Sequence, residues 1–233
     1  MAAQDNKPTL HHLNDSQSQR ILWLLEELDI PYNLVFKERN PASDPVAPYQ
    51  APAALKATGP YGRSPLLITG AQDGHRYIAE SQGIVTYLLR TFDRDGKKFG
   101  HADWIRDEIL CSLITTSLSR ANFCVLMLDF GVIKNGSKDI MDIPGLHATL
   151  ANFECELKEG GGKWVMGDRP GRPDTLAEFA LTTARARKWV DYEKDFPALN
   201  AWLAMAYESP AWKRAMEKDN GYDMAVFPRF PRE

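Results

Sequence analysis

The stretch LNDSQSQRILWLLEEL, residues 13–28, contains the change of pattern that decides the fold of the first part of the chain. Apolar residues recur from Ile21 to Leu28 at positions i, i+3, i+4 and i+7, which predicts a helix with one apolar face. Ser16 precedes this pattern, and together with Gln19 it fits the capping box S-x-x-Q. A serine there can cap the helix, and it also lies where the positive end of the helix dipole attracts an anion. The stretch alone leaves both roles open.

Around this helix, strand-like and helix-like segments alternate over the first ninety residues. The pattern predicts strands at 9–13, 32–38, 64–69 and 75–79, and further helices at 51–57 and 79–92. Asp73-Gly74 is a turn signal between the last two strands, which should therefore form a hairpin. The first two strands should be parallel and joined by a right-handed helical crossover. The order βαβ-α-ββα thus predicts a small mixed sheet with helices packed against it.

After residue 92 the pattern of polar and apolar residues changes. Residues 93–103 are polar and contain glycine, which is typical of a linker. Beyond it the pattern predicts helices at 104–128, 146–160, 174–192 and 199–209, with no convincing strand pair. We therefore expect an α+β domain over residues 1–92 and an all-α domain over residues 104–233. Thr175 and Glu178 fit a structural capping box at the start of one of these helices.

Charge, hydropathy and cysteine content exclude several classes of protein. The net charge is −3, and no basic excess indicates binding to nucleic acid or to an anionic membrane surface. No apolar run approaches the roughly 18 residues that a membrane helix needs, and the N-terminus has no signal-peptide pattern. The three cysteines are not in a C-x-x-C motif, so we expect free, buried thiols in a reducing cytosol and no bound metal.

Two further short motifs place binding groups together. In RSP, residues 63–65, a cis Ser64-Pro65 bond would turn the chain and expose the Ser64 backbone N–H and C=O to a ligand, whereas the alternative is an edge-strand proline. In AES, residues 79–81, a carboxylate, a hydroxyl and free helix amides could hold an amino acid by both of its ends. The alternative for this second motif is simple helix capping.

In order and spacing, these motifs resemble the cytosolic glutathione transferases, most closely the fungal and bacterial serine-type group. That group's pattern is SR-S-x-R-I-L-W-L-L-E-E-L, then P-x-G-K/R-S-P, then E-S-x-x-I. Here it reads SQSQRILWLLEEL (16–28), PYGRSP (60–65) and ESQGI (80–84). The similarity continues to LNAWL (199–203). It implies an α+β thioredoxin-like N-terminal domain that binds glutathione, followed by an all-α C-terminal domain that binds a hydrophobic electrophile.

The resemblance implies that Ser16 is the catalytic residue. Its hydroxyl would donate a hydrogen bond to the glutathione sulfur and so stabilise the thiolate, with Asn14 as an alternative donor. The thiolate would then attack a small electrophile held in a cleft lined by the helical domain. This is the activity of a glutathione S-transferase, with glutathione as co-substrate.

The resemblance also implies how glutathione is bound. Ser64, ahead of a cis Pro65, would pair its backbone with the cysteinyl part of glutathione. Glu80 and Ser81 would hold the γ-glutamyl end, and Arg63 would reach the glycine carboxylate. Family members of this kind are cytoplasmic homodimers, and we expect the same here.

Several positions depart from the group's pattern. Gln17 replaces an arginine, Gly59 stands where histidine is usual, and Trp104 is followed by EILCS (108–112) rather than a motif ending in E-G-S. The last departure lies on the helix that usually faces the electrophile and the dimer partner, so the substrate stays open. The alternatives are a glutathione-dependent cis-trans isomerase and a ligand-binding protein. A reductase is disfavoured because it normally has a cysteine at the position of Ser16.

Overall fold

The computed structural model describes residues 6–99, 103–133, 143–219 and 221–227, which form two compact units. The first unit comprises the described residues of Met1–Arg94 and Pro210–Tyr222. The second comprises those of Asp95–Ser209 and Asp223–Glu233. The C-terminal segment Pro210–Tyr222 therefore belongs to the first unit, although the sequence pattern groups it with the helical domain.

The first unit contains β1 Thr9–Leu13, α1 Gln19–Leu28, β2 Asn33–Lys37, α2 Ala53–Lys56, β3 Leu66–Ile68, β4 Tyr77–Ala79 and α3 Ser81–Phe92. The second contains α4 Trp104–Ser112, α5 Ser119–Asp129, α6 Ile143–Glu159, α7 Arg172–Ala186, α8 Tyr192–Asp195 and α9 Pro197–Glu208. The last helix, α10 Pro210–Lys218, returns to the first unit. The sequence pattern missed α8 and α10.

The four strands form one sheet in the order β2-β1-β3-β4. β1 pairs with β2 in parallel, with Leu10 opposite Leu34, and with β3 in antiparallel, with Leu10 opposite Leu67. β3 and β4 form the antiparallel hairpin that the turn signal indicates. The predicted fold class is confirmed: a thioredoxin-like sheet with helices is followed by a helical domain.

Helix α1 is buried on more than its predicted face. Leu24 and Leu25, on the predicted apolar stripe, are fully buried, but so are Leu22 and Trp23 beside it. The indole of Trp23 meets that of Trp212 on α10 edge to face, with 5.7 Å between ring centroids. The predicted amphipathic helix is thus covered on a second side by a segment nearly 200 positions later in the chain.

The helical stretch Trp104–Asp129 corrects the expectation about apolar length. α4 and α5 are joined by a π-helical segment, Leu113–Leu118, and together they are long and apolar enough to cross a membrane by length and composition. The expectation that no such run exists is therefore wrong. Core helices of soluble proteins can be equally long and apolar, and Leu110 and Ile114 of this stretch are buried within the helical unit.

The cap of α7 also differs from the predicted one. The helix begins at Arg172, so the box expected at Thr175 lies inside it. The capping carboxylate is Asp174, which accepts hydrogen bonds from the backbone N–H of Gly171 at 2.8 Å and of Val165 at 3.1 Å. Burial raises the pKa of Asp174 to about 6. The helix starts earlier because an acid in its first turn is available to satisfy these amides.

Candidate active site

The loop between β1 and α1 turns the Ser16 hydroxyl toward the sheet. The Ser16 Oγ donates to the Leu13 carbonyl at 2.7 Å and accepts from the Ser18 backbone N–H at 3.2 Å. The helix itself begins at Gln19, whose side chain donates to the Met216 sulfur at 3.3 Å. The predicted capping box of Ser16 and Gln19 is therefore wrong, because both side chains are engaged elsewhere.

Arg39 fastens the loop that carries Ser16. Its guanidinium donates to the carbonyl oxygens of Asn14 at 3.1 Å and of Asp15 at 2.9 Å, and its backbone N–H donates to the Asn14 Oδ1 at 2.9 Å. The Asn14 Nδ2 donates to the Asp15 carboxylate at 3.2 Å. Burial lowers the pKa of Arg39. Both ends of the Asn14 amide are thus engaged, the Nδ2 by Asp15 and the Oδ1 by Arg39.

The Ser64–Pro65 peptide bond is cis, the geometry that the resemblance implies. The Ser64 Oγ donates to the His11 carbonyl at 3.2 Å. Toward the described residues, the Ser64 backbone N–H and C=O make no hydrogen bond, so both are available to a ligand. The carbonyls of His11 and Leu13 are two residues apart on β1, roughly 7 Å. One strand edge therefore brings the two serines, Ser64 and Ser16, into the same neighbourhood.

The start of α3 is tied to α1 by a buried arginine. The Arg20 guanidinium, whose residue is 3% exposed, donates to the Ser81 Oγ at 2.7 Å and also to the Gln17 side-chain carbonyl. Gln17, which departs from the group's arginine, thus helps to position Arg20. Ser81 is the first residue of α3, and Glu80 before it has a φ of +64°. No side-chain cap is formed at this helix start, so simple capping does not explain the two residues.

Arg63 and Glu80 lie on the surface of the first unit. Both are exposed, and neither side chain forms a hydrogen bond or an ion pair with the residues that the structure describes. Arg63 directly precedes Ser64 in the chain. Hydrogen bonds to β1 and α1 therefore connect three serines, Ser16, Ser64 and Ser81. The side chains of Arg63 and Glu80 form no such bond with the described residues, and their location follows only from that of their neighbours in the chain.

Sequence reasoning did not assign a role to Arg20 or Arg39. Arg20 lies within the quoted family pattern, as the arginine before I-L-W-L-L, and a charged residue inside an apolar helical stretch could have identified it. Arg39 follows β2 in a polar loop, where nothing in the local pattern distinguishes it from a solvated cation. Its function depends on a loop 25 positions earlier.

The cysteines do not take part in this site. Cys111, Cys124 and Cys155 are all free and lie in the second unit. Only Cys111 is buried, and burial raises the pKa of its thiol to about 12. The expectation of buried thiols is therefore wrong for exposed Cys155. Within the described ranges, no three His, Cys, Asp or Glu side chains are grouped so as to hold a metal ion.

The comparison with known proteins agrees with the order of the motifs. The model of the glutathione S-transferase N-terminal domain matches residues 16–91, and that of the C-terminal domain matches residues 142–210. Glutathione S-transferase 3 of Schizosaccharomyces pombe is 39% identical over 235 residues, covering 94% of this chain and 90% of the relative. The chain belongs to the glutathione S-transferase family.

Solved structures of glutathione S-transferases have the same fold. A glutathione S-transferase from Actinobacillus pleuropneumoniae superposes with a TM-score of 0.77 at 27% identity, covering 95% of this chain and 97% of that one. The glutathione transferase URE2P8 from Phanerochaete chrysosporium, solved with oxidized glutathione, gives a TM-score of 0.71 at 20% identity, covering 93% and 96%. The second likeness shows the fold alone. The resemblance drawn from the motifs is confirmed.

Proposed function

We propose that this glutathione S-transferase ionises the thiol of glutathione beside Ser16 and directs the thiolate at a small hydrophobic electrophile. The observation that carries the proposal is the strand edge of β1. Two carbonyls of this strand, those of Leu13 and His11, accept from the hydroxyls of Ser16 and Ser64, and the Ser64 backbone forms no hydrogen bond with the described residues. The named relatives and the structure of URE2P8 with oxidized glutathione support glutathione as the ligand.

The binding roles follow from the groups that remain available. The Ser64 backbone would form hydrogen bonds with the backbone of the cysteinyl part of glutathione, as two antiparallel strands do. Because Ser81 accepts its hydrogen bond from Arg20, its own hydrogen is left for the γ-glutamyl carboxylate. Exposed Glu80 would receive the γ-glutamyl ammonium, and exposed Arg63 the glycine carboxylate. Each of these contacts is a charge-assisted or backbone hydrogen bond.

Ser16 must turn to act on the sulfur. In the structure its hydrogen faces the Leu13 carbonyl at 2.7 Å, so donation to a thiolate replaces a neutral hydrogen bond by a charge-assisted one. A free thiol has a pKa of about 8.5, and a donor beside it lowers that pKa. Glutathione bound here would therefore be ionised at neutral pH to a much greater extent than in water.

The Ser16→Ala variant tests this proposal. We expect glutathione affinity within about twofold of wild type, a thiolate pKa raised by about one unit, and kcat lowered by about tenfold or more. The measurement is the ultraviolet absorbance of bound thiolate against pH. Ser43→Ala, a change of the same kind at an exposed loop residue, serves as the control. An unchanged thiolate pKa in Ser16→Ala would remove Ser16 from the mechanism.

The inward hydrogen bond of Ser16 favours one second candidate, a protein that binds glutathione without ionising it. An activity screen with an aryl halide, a disulfide and a conjugated enone separates the candidates. Turnover of the aryl halide supports the transferase, and isomerisation of a cis enone supports a glutathione-dependent isomerase. Binding of glutathione without turnover of any substrate supports the ligand-binding protein.

We also propose that the protein is a cytoplasmic homodimer without a membrane or nucleic-acid partner. The side chains of Trp104, Ile105, Ile109 and Phe123 are 71%, 55%, 61% and 56% exposed, an apolar surface on α4 and α5 that a second copy would cover. The free cysteines fit a reducing compartment.

Replacing Ile109 by Glu tests the dimer. A buried charge at this surface should shift the protein from dimer to monomer in size-exclusion chromatography with light scattering. The control is Val46→Glu on the first unit, where an 88% exposed residue should tolerate the charge. A wild-type protein that is monomeric at every concentration tested would contradict the proposal.

A further inference from the structure

A row of four buried groups begins at Ser16. The Ser16 Oγ is 2.9 Å from the Ser18 Oγ, which is 2.7 Å from the His12 Nδ1. The His12 Nε2 is in turn 2.9 Å from the Asp219 Oδ1. Ser16, Ser18 and His12 are 7%, 0% and 1% exposed, and the Asp219 side chain is fully buried. All four residues belong to the first unit.

The chemistry of the end group sets the direction of every hydrogen in this row. A carboxylate only accepts, so the His12 Nε2 donates to Asp219 and leaves Nδ1 as an acceptor. The Ser18 hydroxyl donates to that nitrogen, its shortest contact, and its oxygen accepts from the Leu13 backbone N–H at 3.2 Å. Ser18 then has no hydrogen for Ser16 and can only accept from it. The order of hydroxyl, imidazole and carboxylate is that of an activated nucleophile, its base and the group that orients the base.

We propose that this row takes up the proton of the glutathione thiol, an inference that rests on the proposed function of Ser16. The S–H bond breaks as the Ser16 Oγ receives the proton. The Ser16 hydrogen first turns from the Leu13 carbonyl to the Ser18 Oγ, which is 2.9 Å from the Ser16 Oγ, and then moves to it. The Ser18 hydrogen moves to the His12 Nδ1. The products are a thiolate facing a Ser16 O–H and an imidazolium facing Asp219. After the sulfur has bonded to the electrophile, the proton returns through the same hydroxyls to a basic leaving group or, where the leaving group is a halide, to solvent. Ser18, His12 and Asp219 act through Ser16 and are positioning residues.

The surroundings of Asp219 suit an imidazolium better than a merely structural contact. Its Oδ2 is buried and has no hydrogen-bond partner among the residues that the structure describes. A buried carboxylate with one oxygen unsatisfied is costly next to a neutral ring, whereas a positive charge on His12 compensates it. Two cations of α10, Arg214 and Lys218, bind Glu26 instead. α10 is therefore attached to α1 without the help of Asp219.

Nuclear magnetic resonance of the histidine ring nitrogens tests the transfer directly. Glutathione should convert His12 of the wild-type protein to the doubly protonated form at neutral pH. S-methylglutathione, which has no thiol proton to give, should leave His12 neutral. The His12→Gln variant identifies the signal by its loss. A thiolate that forms while His12 stays neutral would overturn the proposal.

Two variants test the row by function. Asp219→Asn keeps the shape and an acceptor oxygen but removes the charge, and it should raise the thiolate pKa by about one unit and lower kcat about tenfold near neutral pH. The KM for glutathione should stay within about twofold, and the loss should shrink at alkaline pH, where solvent takes the proton. Asp29→Asn, the same change at an exposed residue after α1, should behave as wild type.

Ser18→Ala interrupts the row while leaving the pair of His12 and Asp219 intact, and it decides the matter if Asp219→Asn does not fold. Ser18→Ala should raise the thiolate pKa and lower kcat by the same amounts as Asp219→Asn. A wild-type thiolate pKa and kcat in Ser18→Ala, combined with a raised thiolate pKa in Ser16→Ala, would contradict proton transfer along the row and leave the proposed function unaffected. A wild-type protein that binds glutathione without any thiolate would overturn both.

Discussion

Arg20 shows how one side chain can serve the site without touching the reacting atoms. It is buried in α1 and donates to the Ser81 hydroxyl at the N-terminus of α3. Its positive charge adds to that of the helix end, and both favour a carboxylate at this place. The hydrogen bond also orients Ser81, because a hydroxyl that accepts from a cation directs its own hydrogen elsewhere.

We predict that Arg20→Gln weakens glutathione binding by about tenfold, since a charge-assisted contact to Ser81 and its electrostatic effect are lost. Calorimetric titration with glutathione measures the affinity. Arg90→Gln, at an exposed position near the other end of α3, is the matched control and should bind normally. Equal affinity in the two variants would show that Arg20 has only a structural role.

Gly59 shows why one departure from the family pattern is tolerated. Its φ is +66°, and a Cβ built on it would lie 2.5 Å from the Cδ1 of Tyr77. A non-glycine residue is strained at this φ and would also collide with the ring. The glycine in place of the usual histidine is thus matched to Tyr77 on β4.

At the scale of elements, the contact between α1 and α10 combines apolar packing with an ion-pair cluster. Glu26 on α1 accepts from the Arg214 Nε at 3.0 Å and also from Lys218 and the Tyr32 hydroxyl. Burial of the Glu26 carboxyl opposes its ionisation. The bonds from Lys218, Tyr32 and Arg214 outweigh that effect, so the pKa of Glu26 lies below its ordinary value of 4.5.

This lowered pKa makes the contact sensitive to acid. A carboxyl whose pKa is lower in the folded state stabilises the protein above its unfolded-state pKa and loses that contribution as pH falls through the folded-state value. We predict that the free energy of unfolding declines below about pH 4.5, and that Glu26→Gln shows a shallower decline. Urea unfolding at a series of pH values measures both slopes. Glu38→Gln, at an exposed residue of the same unit, should keep the wild-type slope, and a wild-type slope in Glu26→Gln would contradict the prediction.

At the scale of the whole molecule, the chain leaves the first unit near residue 94 and returns to it at Pro210. The returning segment supplies buried Trp212 and Ala215, and it provides the carboxylate that His12 contacts. The residues before position 94 are therefore not sufficient to complete the core of the first unit, which also contains Trp212 and Ala215. A domain boundary at residue 92 therefore leaves out the C-terminal segment of the first unit, Pro210–Tyr222.

Truncation after Ser209 should destabilise the first unit by about 4 kcal/mol or more, because it uncovers Trp23 and leaves Glu26 without its cations. Denaturant unfolding followed by Trp fluorescence measures the loss. Truncation after Phe227 keeps α10 and should unfold like the full chain. Equal stability of the two truncated proteins would mean that α10 adds nothing to the first unit.

The elements and the family could be predicted from local patterns, but several details of the site could not. Strands at 9–13 and 64–69 and the helix containing Ile21 follow from periodicities of two and 3.6 residues, which act over a few positions. The start of α1 was misplaced because the Leu13 carbonyl competes for the Ser16 hydroxyl. Arg39 was missed because its partners lie 25 positions away.

By itself, the sequence determined the alternation of strands and helices, the order of the motifs and hence membership of the glutathione S-transferase family. These depend on spacing along the chain, which is readable without coordinates. Only the tertiary structure decided the direction of the Ser16 hydroxyl, the bond from Arg20 to Ser81, and the contact between His12 and Asp219 across 207 positions. A hydrogen bond depends on distances within a few tenths of an ångström and on side-chain rotamers, and both are set by packing between segments that are remote in sequence.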